Sequence, residues 1–463
     1  MSGAVDWTEG PLGALRDRDG GTEMDADALR AAVAARADAM AAAGAEAGTL
    51  VAIVRDGGAD ALVDLLAAWR LGAAAAMLDV GLSDPERENV LDHARPALVC
   101  DAAGMAAPTG APRRWDGPAR DRPALLLFTS GTTGTPKAVV LTTRALEARV
   151  ALNHAQIGRE ALSVVLQTLP LHFGHGLIGS ALTTLAAGGT LVLPARGGLG
   201  PAAGLGATVD AEGVTFLTSV PTLWRAALRM SSSPEGATLR RVHVGSAPLS
   251  AQLWERIAGW CGAASVWNCY GITETANWIG GAAWPAGDAH VGHPWGGAFA
   301  VAGPDGTPRP AGEGEVLYRG PATMSGYLDR PDATAAVLRG GWYATGDTGR
   351  LGPDGLALSG RLREEINRAG VKVQPADVDR VVEAHPGVAE CCCFALPDPI
   401  AGETVAAAYV PEAGHAPEAA ELAAFCAARL RPVAVPERWL PVEAIPRTPR
   451  GKVSRRAVAE ALA

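Results

Sequence analysis

The chain has 463 residues, 48 % hydrophobic and 19 % charged, with a formal net charge of −9. That length holds two to four domains with ample material for buried cores, and the acidic balance provides no global basic field for nucleic acid or an anionic membrane. Seven cysteines, an odd number without paired metal spacing, argue against a zinc framework and fit core positions in a reducing cytosol.

The N-terminal MSGAVDWTEG lacks a basic-then-apolar leader, so a cytoplasmic location is expected. The most apolar helix-like stretch, Leu62 to Leu78, contains Asp64 and Arg70 and is too short to span a bilayer. From about residue 25 to 200, apolar runs alternate with Ala/Leu-rich helical stretches. LVAIVRD (50–56), AAAAMLD (73–79), ALVCD (97–101), LLLF (125–128), VVLQTLP (164–170) and TLVLPA (190–195) read as strands. Helical patterns lie between them, as at 60–71 and 142–156. This alternation predicts parallel sheets with crossover helices.

Between two of these elements lies LLLFTSGTTGTPK, residues 125–137. Gly131 and Gly134 allow a tight turn and close approach of a ligand to the backbone. Thr129, Ser130, Thr132 and Thr133 offer hydroxyl and amide donors, and Lys137 closes the segment with a cation. Convergent donors in a concave turn suit a polyphosphate. The loop is not of the Walker A type, because Pro136 precedes Lys137 and Ala138 follows it. GLGPAA at 198–203 matches a dinucleotide fingerprint only loosely and is read as chance.

Further along, VTFLTSVPTLWRAAL and LRRVHVGSAPLS each read as strand, turn and a following element. In NCYGITETA (268–276), a tyrosine before a glycine turn offers a ring face for stacking an adenine, and Glu274 offers a hard oxygen suited to Mg²⁺. After Gly297, short strands with Gly, Pro and Asp turns predict a compact β subdomain. There, GWYATGDTGRL places Asp347 after Gly346, where a carboxylate can accept two hydroxyls at once. The last hundred residues form a βαβ-like stretch from Val371 to Pro411, a helix at 417–430 and a basic tail. Cys391, Cys392 and Cys393 are adjacent, so on a strand they alternate faces and are ill placed to ligate one metal together.

Five segments occur in one order: the 125–137 loop, NCYGITETA, GWYATGDTGRL, SGRLREEINRAGVKVQPADVD (359–379) and PRTPRGKVSRRAV (446–458). Together they resemble the adenylate-forming superfamily of acyl-CoA synthetases, peptide-synthetase adenylation domains and luciferases, over about residues 120 to 455. The resemblance implies an α/β fold: a large N-terminal domain (1–361) of parallel-type sheets with flanking helices and a β subdomain, and a small mobile α+β C-terminal domain (362–463). It implies that Thr129, Ser130, Gly131, Thr132, Thr133, Gly134 and Lys137 hold phosphates. It gives Tyr270, Gly271, Thr273 and Glu274 to adenine and Mg²⁺, Asp347 to the ribose and Arg361 to the ribose or phosphates, and it counts Thr273, Glu274, His172 and Lys452 as catalytic. Arg363 stands where the family has its hinge, usually Asp or Lys. Lys452 matches the lysine that reaches the α-phosphate and the substrate carboxylate.

LPLHFGHGL (169–177) matches the segment lining the acyl pocket and thiol entrance, so His172, Phe173 and His175 are expected there. Gly245, Ser246, Ala247 and Trp278 complete the wall, with Trp267 and Asn268 nearby. Amino-acid-activating relatives carry an Asp in this segment, and Phe173 and Gly174 stand here instead. Bulky aromatics then favour an aryl or short-chain acid. The implied reaction joins the acid to ATP, giving an acyl-adenylate, and transfers the acyl group to a thiol. The chain ends eleven residues past Lys452, so the expected thiol is free CoA or the phosphopantetheine of a separate carrier protein. A monomer or homodimer, a diverted acceptor such as an amine, and a non-carboxylate substrate are the remaining alternatives.

Overall fold

The computed structural model describes residues 12–129, 137–195, 202–368, 371–398, 402–447 and 453–462. Three sheets organise them. In the first, Leu50–Val54 pairs in parallel with Ala74–Met77 and Leu98–Asp101, and Ala74–Met77 pairs in parallel with Pro123–Thr129. The strands Leu50–Val54 and Ala74–Met77 are buried throughout, the pattern of a parallel sheet covered on both faces. The helix Gly58–Arg70 packs on it, and the indole of Trp69 donates to the carbonyl of Ala124 at 2.7 Å.

The first departure from the sequence expectation follows Lys137. The chain does not pass straight into the helix; it first forms Lys137–Thr142, antiparallel to Pro123–Thr129. Ala138, Val139, Val140 and Leu141 are all buried, which is why this run prefers a strand between two covered faces. Helix Thr143–Ile157 then begins with the Thr142 hydroxyl accepting from the Ala145 amide, a side-chain cap. The hydroxyl-rich segment therefore connects two hydrogen-bonded strands.

The second sheet carries parallel strands Thr190–Leu193, Val164–Leu166, Phe216–Ser219, Arg241–Gly245 and Ser265–Ile272 in adjacent positions. Asn277–Ala283 and His290–Pro294 continue it antiparallel. His290–Pro294 then pairs with Gly355–Arg361, so the β subdomain after Gly297 is hydrogen-bonded onto this sheet's edge.

The third sheet is separate. Val388–Asp398 and Gly402–Pro411 form its longest ladder, flanked by Ile366–Arg368 and Arg438–Pro441. It has its own core of Val378, Val382, Cys393, Val405, Leu422 and Cys426. All seven cysteines are buried free thiols, as core positions require. Alternation does hold Cys392 on the opposite face, but it brings Cys391 and Cys393 together, their Sγ atoms 3.7 Å apart beside Asp379. That carboxylate is engaged by the Cys393 amide and by Arg455 at 2.6 Å. Among the described residues no helix is long and apolar enough to cross a membrane.

Candidate active site

The candidate site residues lie on the antiparallel side of the second sheet, beyond its parallel strands. Trp342–Gly352 lies beside Gly355–Arg361, and the register places Asp347 opposite Arg361. Arg361 Nε contacts Asp347 Oδ1 at 2.9 Å, and the Tyr270 hydroxyl donates to Oδ2 at 2.6 Å. Asp347 is only 5 % exposed. The backbone reaches this position through Gly346 at φ 73°, a left-handed conformation that favours glycine. Asp347 is the main reason the Arg361 guanidinium holds its proton more tightly than usual.

Tyr270 is 7 % exposed and packs with Ile279, Val291, Phe299 and Tyr318. Burial pushes its phenol well above the ordinary value, and Asp347 adds to the effect. The hydroxyl is thus a proton donor across all working pH, and it orients the acid. Gly271 comes next, and a side chain there would meet the Asn277 carbonyl at 2.6 Å. The turn Thr273–Thr275 follows, succeeded by Ala276 and Asn277 at φ 51° and 93°. Non-glycine residues held at positive φ store local strain, and here two in a row fix the turn that presents Glu274.

Glu274 accepts from the Tyr327 hydroxyl at 2.7 Å, while its own carbonyl accepts from the Met324 amide at 2.7 Å. The Lys137 ammonium lies 4.9 Å from the centroid of the Tyr327 ring, within cation–π range. Tyr327 reaches this place because Gly326–Tyr327 pairs with Lys137–Thr142. Lys137, Tyr327 and Glu274 therefore form one chain of contacts. Sequence reading missed Tyr327, since an aromatic in SGYLDRP carries no signal until pairing brings it to the acid. Tyr343, pushed up by burial and by Glu274, was missed for the same reason. Thr129 lies at the near edge, its hydroxyl 3.4 Å from the Lys137 carbonyl. Ser130, Gly131, Thr132, Thr133, Gly134 and Lys452 lie outside the described residues, as does the side chain of Arg363.

The expected pocket segment gathers around a π-helix, His175–Leu182, a form often found at functional sites. His175 Nδ1 is 2.8 Å from the hydroxyl of Ser246, itself at φ 66°. The His175 ring meets Trp278 edge-on at 5.2 Å, and a side chain on Gly245 would contact His175 Cε1 at 3.5 Å. Ala247 follows Ser246 on the exposed turn. His172 Nε2 lies 3.5 Å from Asp79 Oδ2, and its ring meets Phe173 at 4.3 Å. Asp79 had given no sequence signal. Asn268 donates to the His290 carbonyl at 3.0 Å.

The Glu274 carboxylate, with one of its oxygens accepting from a phenol, has lone pairs left for a hard cation and fits Mg²⁺. That ion takes few protein oxygens and completes its shell with water and phosphate. Asp347 sits in the middle of strand Trp342–Gly352, not at a strand end as expected, and is held there by Tyr270 and Arg361. Residues 101–328 match the family model for AMP-binding enzymes, and 377–452 match the model for the AMP-binding enzyme C-terminal domain. Feruloyl-CoA synthase of an Amycolatopsis species is 32 % identical over 94 % of this chain and 93 % of its own length. Oxalate–CoA ligase of Arabidopsis thaliana is 35 % identical over 73 % of this chain and 68 % of its own. Among solved structures, amide bond synthetase McbA of Marinactinospora thermotolerans superposes with a TM-score of 0.82 at 28 % identity, covering 98 % of both chains. The chain belongs to the AMP-binding enzyme family, and within it to the AMP-forming acid–thiol ligases.

Proposed function

We propose that this chain activates an aryl or short-chain carboxylic acid with ATP and Mg²⁺ and passes the acyl group to the thiol of CoA. The observation that carries this reading is the Asp347 carboxylate, fixed by Tyr270 and Arg361 on the same sheet as the turn bearing Glu274. Two anions, carboxylate and triphosphate, have to meet, so positioning and charge neutralisation are the main tasks. Asp347 accepts the ribose hydroxyls, with Arg361 turning from it toward the nucleotide. Thr129 to Gly134 and Lys137 hold the β- and γ-phosphates, with Lys137 kept in place by Tyr327.

Glu274 would hold Mg²⁺, which would supply charge neutralisation on the phosphates. No general base is needed, because the substrate carboxylate is ionised at pH 7. Its oxygen attacks the α-phosphorus, the bond to the β-phosphate bridge breaks, and pyrophosphate departs. Lys452 offsets charge on the α-phosphate and the attacking oxygen. The thiol then gives its proton to solvent, its sulfur attacks the acyl carbon, the acyl–phosphate oxygen bond breaks and AMP leaves. His172, Phe173, His175, Gly245, Ser246, Ala247 and Trp278 line the acid's pocket and its thiol entrance.

Residues 1–361 and 362–463 act as two bodies, with the smaller one swinging about Arg363 between the half-reactions. The test is Lys452→Ala, which should abolish adenylate formation and spare thiolation of a supplied acyl-adenylate. Equal loss of both half-reactions would sink the two-arrangement mechanism. Pyrophosphate release from a panel of aryl, short-chain, dicarboxylic and amino acids, with and without CoA, identifies both acid and acceptor. A second reading, transfer to an amine, is supported by the likeness to the amide bond synthetase. It predicts release that CoA does not stimulate and amide formation when amines are added. Transfer to a carrier protein's phosphopantetheine gives the same CoA-independent release without amide.

A further inference from the structure

Strand Val388–Asp398 carries Cys391, Cys392 and Cys393. Alternation sends Cys392 into one core, with Phe394, Ala406 and Val458, and Cys391 and Cys393 into another, with Val378, Val382 and Val405. Positions two apart on a strand are set roughly 7 Å from each other. The Sγ atoms of Cys391 and Cys393 nevertheless approach to 3.7 Å, so the two side chains lean together. An S–H donating to the neighbouring sulfur is enough to hold that contact in the free chain.

Both cysteines lie against helix Pro375–Glu383, where Asp379 and Glu383, one turn apart, share a face. The Cys393 amide donates to Asp379 Oδ1, and the Cys391 amide to Glu383 Oε1 at 3.0 Å. The backbone at each sulfur is thereby fixed, and Glu383 is itself held by Arg225 at 3.0 Å. A carboxylate oxygen of Asp379 and the two sulfurs all lie within 4.8 Å of one another. Asp379 Oδ2 accepts from Arg455 Nη2 at 2.6 Å, which leaves the carboxylate further lone pairs. Arg455 also donates to the Cys393 carbonyl at 2.6 Å and to Glu364 Oε2 at 3.0 Å.

We propose that Cys391, Cys393 and Asp379 form a site for one divalent thiophilic cation of the Zn²⁺ class, with water in the fourth position. Two thiolates about 2.3 Å from a tetrahedral ion stand about 3.8 Å apart, close to the separation already present. The ion takes the place of the two thiol hydrogens, which leave to solvent as protons while two metal–sulfur bonds form. Charge selects the class. Two thiolates and the Asp379 carboxylate are balanced by a divalent ion together with the Arg455 guanidinium, whereas a monovalent ion leaves a buried charge unmet. Sulfur disfavours Mg²⁺ and Ca²⁺, which take oxygen. Burial pushes the Cys391 thiol up to about 12 and the Cys393 thiol well above its ordinary value, so without the ion both stay protonated and unreactive. The occupied site joins strand Val388–Asp398 to helix Pro375–Glu383 through side chains as well as backbone. Its role is to stabilise the smaller region, independently of the reaction proposed above.

The experiment titrates the intact chain, reduced and stripped by a chelator, with Co²⁺ and then Zn²⁺ in excess Mg²⁺, which occupies hard oxygen sites. One Co²⁺ per chain should give the strong visible bands of a tetrahedral thiolate site and a sulfur-to-metal band in the ultraviolet. One Zn²⁺ should bleach them, release two protons and raise the thermal midpoint. Cys391→Ser and Cys393→Ser should each weaken Zn²⁺ binding by more than the roughly 10- to 100-fold that loss of a supporting partner costs. Asp379→Asn should keep the sulfur band and bind more weakly. Cys392→Ser and Cys426→Ser should bind as the wild-type chain does.

A pale octahedral Co²⁺ spectrum without a sulfur band overturns the inference, as do bands that survive in Cys391→Ser or disappear in Cys392→Ser. If a serine variant does not fold, the wild-type spectrum and the alanine variants Cys391→Ala and Cys393→Ala, which leave no buried hydroxyl, decide.

Discussion

The residues before Arg361 and those after it are held together in different ways. In the larger region each candidate site group is fixed from several directions: Asp347 by Tyr270 and Arg361, Glu274 by Tyr327, His175 by Ser246 and Trp278. In the smaller region the core is complete in itself. Among the described residues, its polar ties to the rest include Arg225 to Glu383 at 3.0 Å and to the Ala389 carbonyl, Arg229 to Glu412 at 3.8 Å, and Arg380 to the Leu358 carbonyl at 3.4 Å. A preorganised binding surface requires the first kind of construction. The proposed exchange of the smaller region between two positions would call for the second, because polar contacts can be replaced by water at small net cost.

Breaking the fixed region should have the largest effect. Asp347→Ala removes the acceptor proposed for the two ribose hydroxyls, and kcat/KM for ATP should fall about 100- to 1000-fold, as measured by pyrophosphate exchange. A fall of less than threefold would remove Asp347 from nucleotide binding. Tyr327→Phe deletes one hydrogen bond to Glu274 and keeps the ring beneath Lys137. A loss of roughly tenfold is expected, with a raised requirement for Mg²⁺; an unchanged Mg²⁺ dependence would detach Tyr327 from the acid's role.

The contact between the regions gives a smaller and more selective effect. Arg225→Ala should change the ratio of adenylation to thiolation rates by about three- to tenfold, because a lost tie biases one arrangement by roughly 1 kcal/mol. Identical ratios in mutant and wild type would mean that Arg225 and Glu383 stabilise both arrangements equally.

The smallest effect is on stability against pH. Burial lowers the pKa of both His243 and His154, so the unfolded chain takes up protons near pH 6.5 that the folded chain refuses. Stability then rises with pH wherever the unfolded state binds more protons. The contribution is complete above about pH 6.5 and is lost as pH falls below it, at up to about 1.4 kcal/mol per pH unit for each histidine. Urea midpoints between pH 5 and 7.5 should show this slope, and His243→Phe should flatten it; an unchanged slope would place the protons elsewhere.

Much of the fold could be read in advance where a single period dominated. Apolar runs such as Leu50–Val54 and Thr190–Leu193 are strands because their residues cannot be covered otherwise, and the helix expected at 60–71 forms at Gly58–Arg70. The strand Lys137–Thr142 was not legible, because AVVLT has no meaning until Pro123–Thr129 and Gly326–Tyr327 lie on either side of it. The β subdomain was legible as strands, but its attachment through His290–Pro294 was not. Tyr270, Glu274, Asp347 and Arg361 could be named from their segments, whereas Tyr327, Tyr343 and Asp79 could not.

By itself the sequence determined the residue types that this chemistry needs and their order along the chain, because acids, glycine turns and hydroxyl-rich loops are local features. It also determined strands and helices where one period dominated, as at Leu50–Val54 and Gly58–Arg70. Only the tertiary structure decided that Asp347 faces both Tyr270 and Arg361, and that Tyr327 meets Glu274. Register and burial depend on contacts between residues far apart in the chain, and no local pattern encodes them.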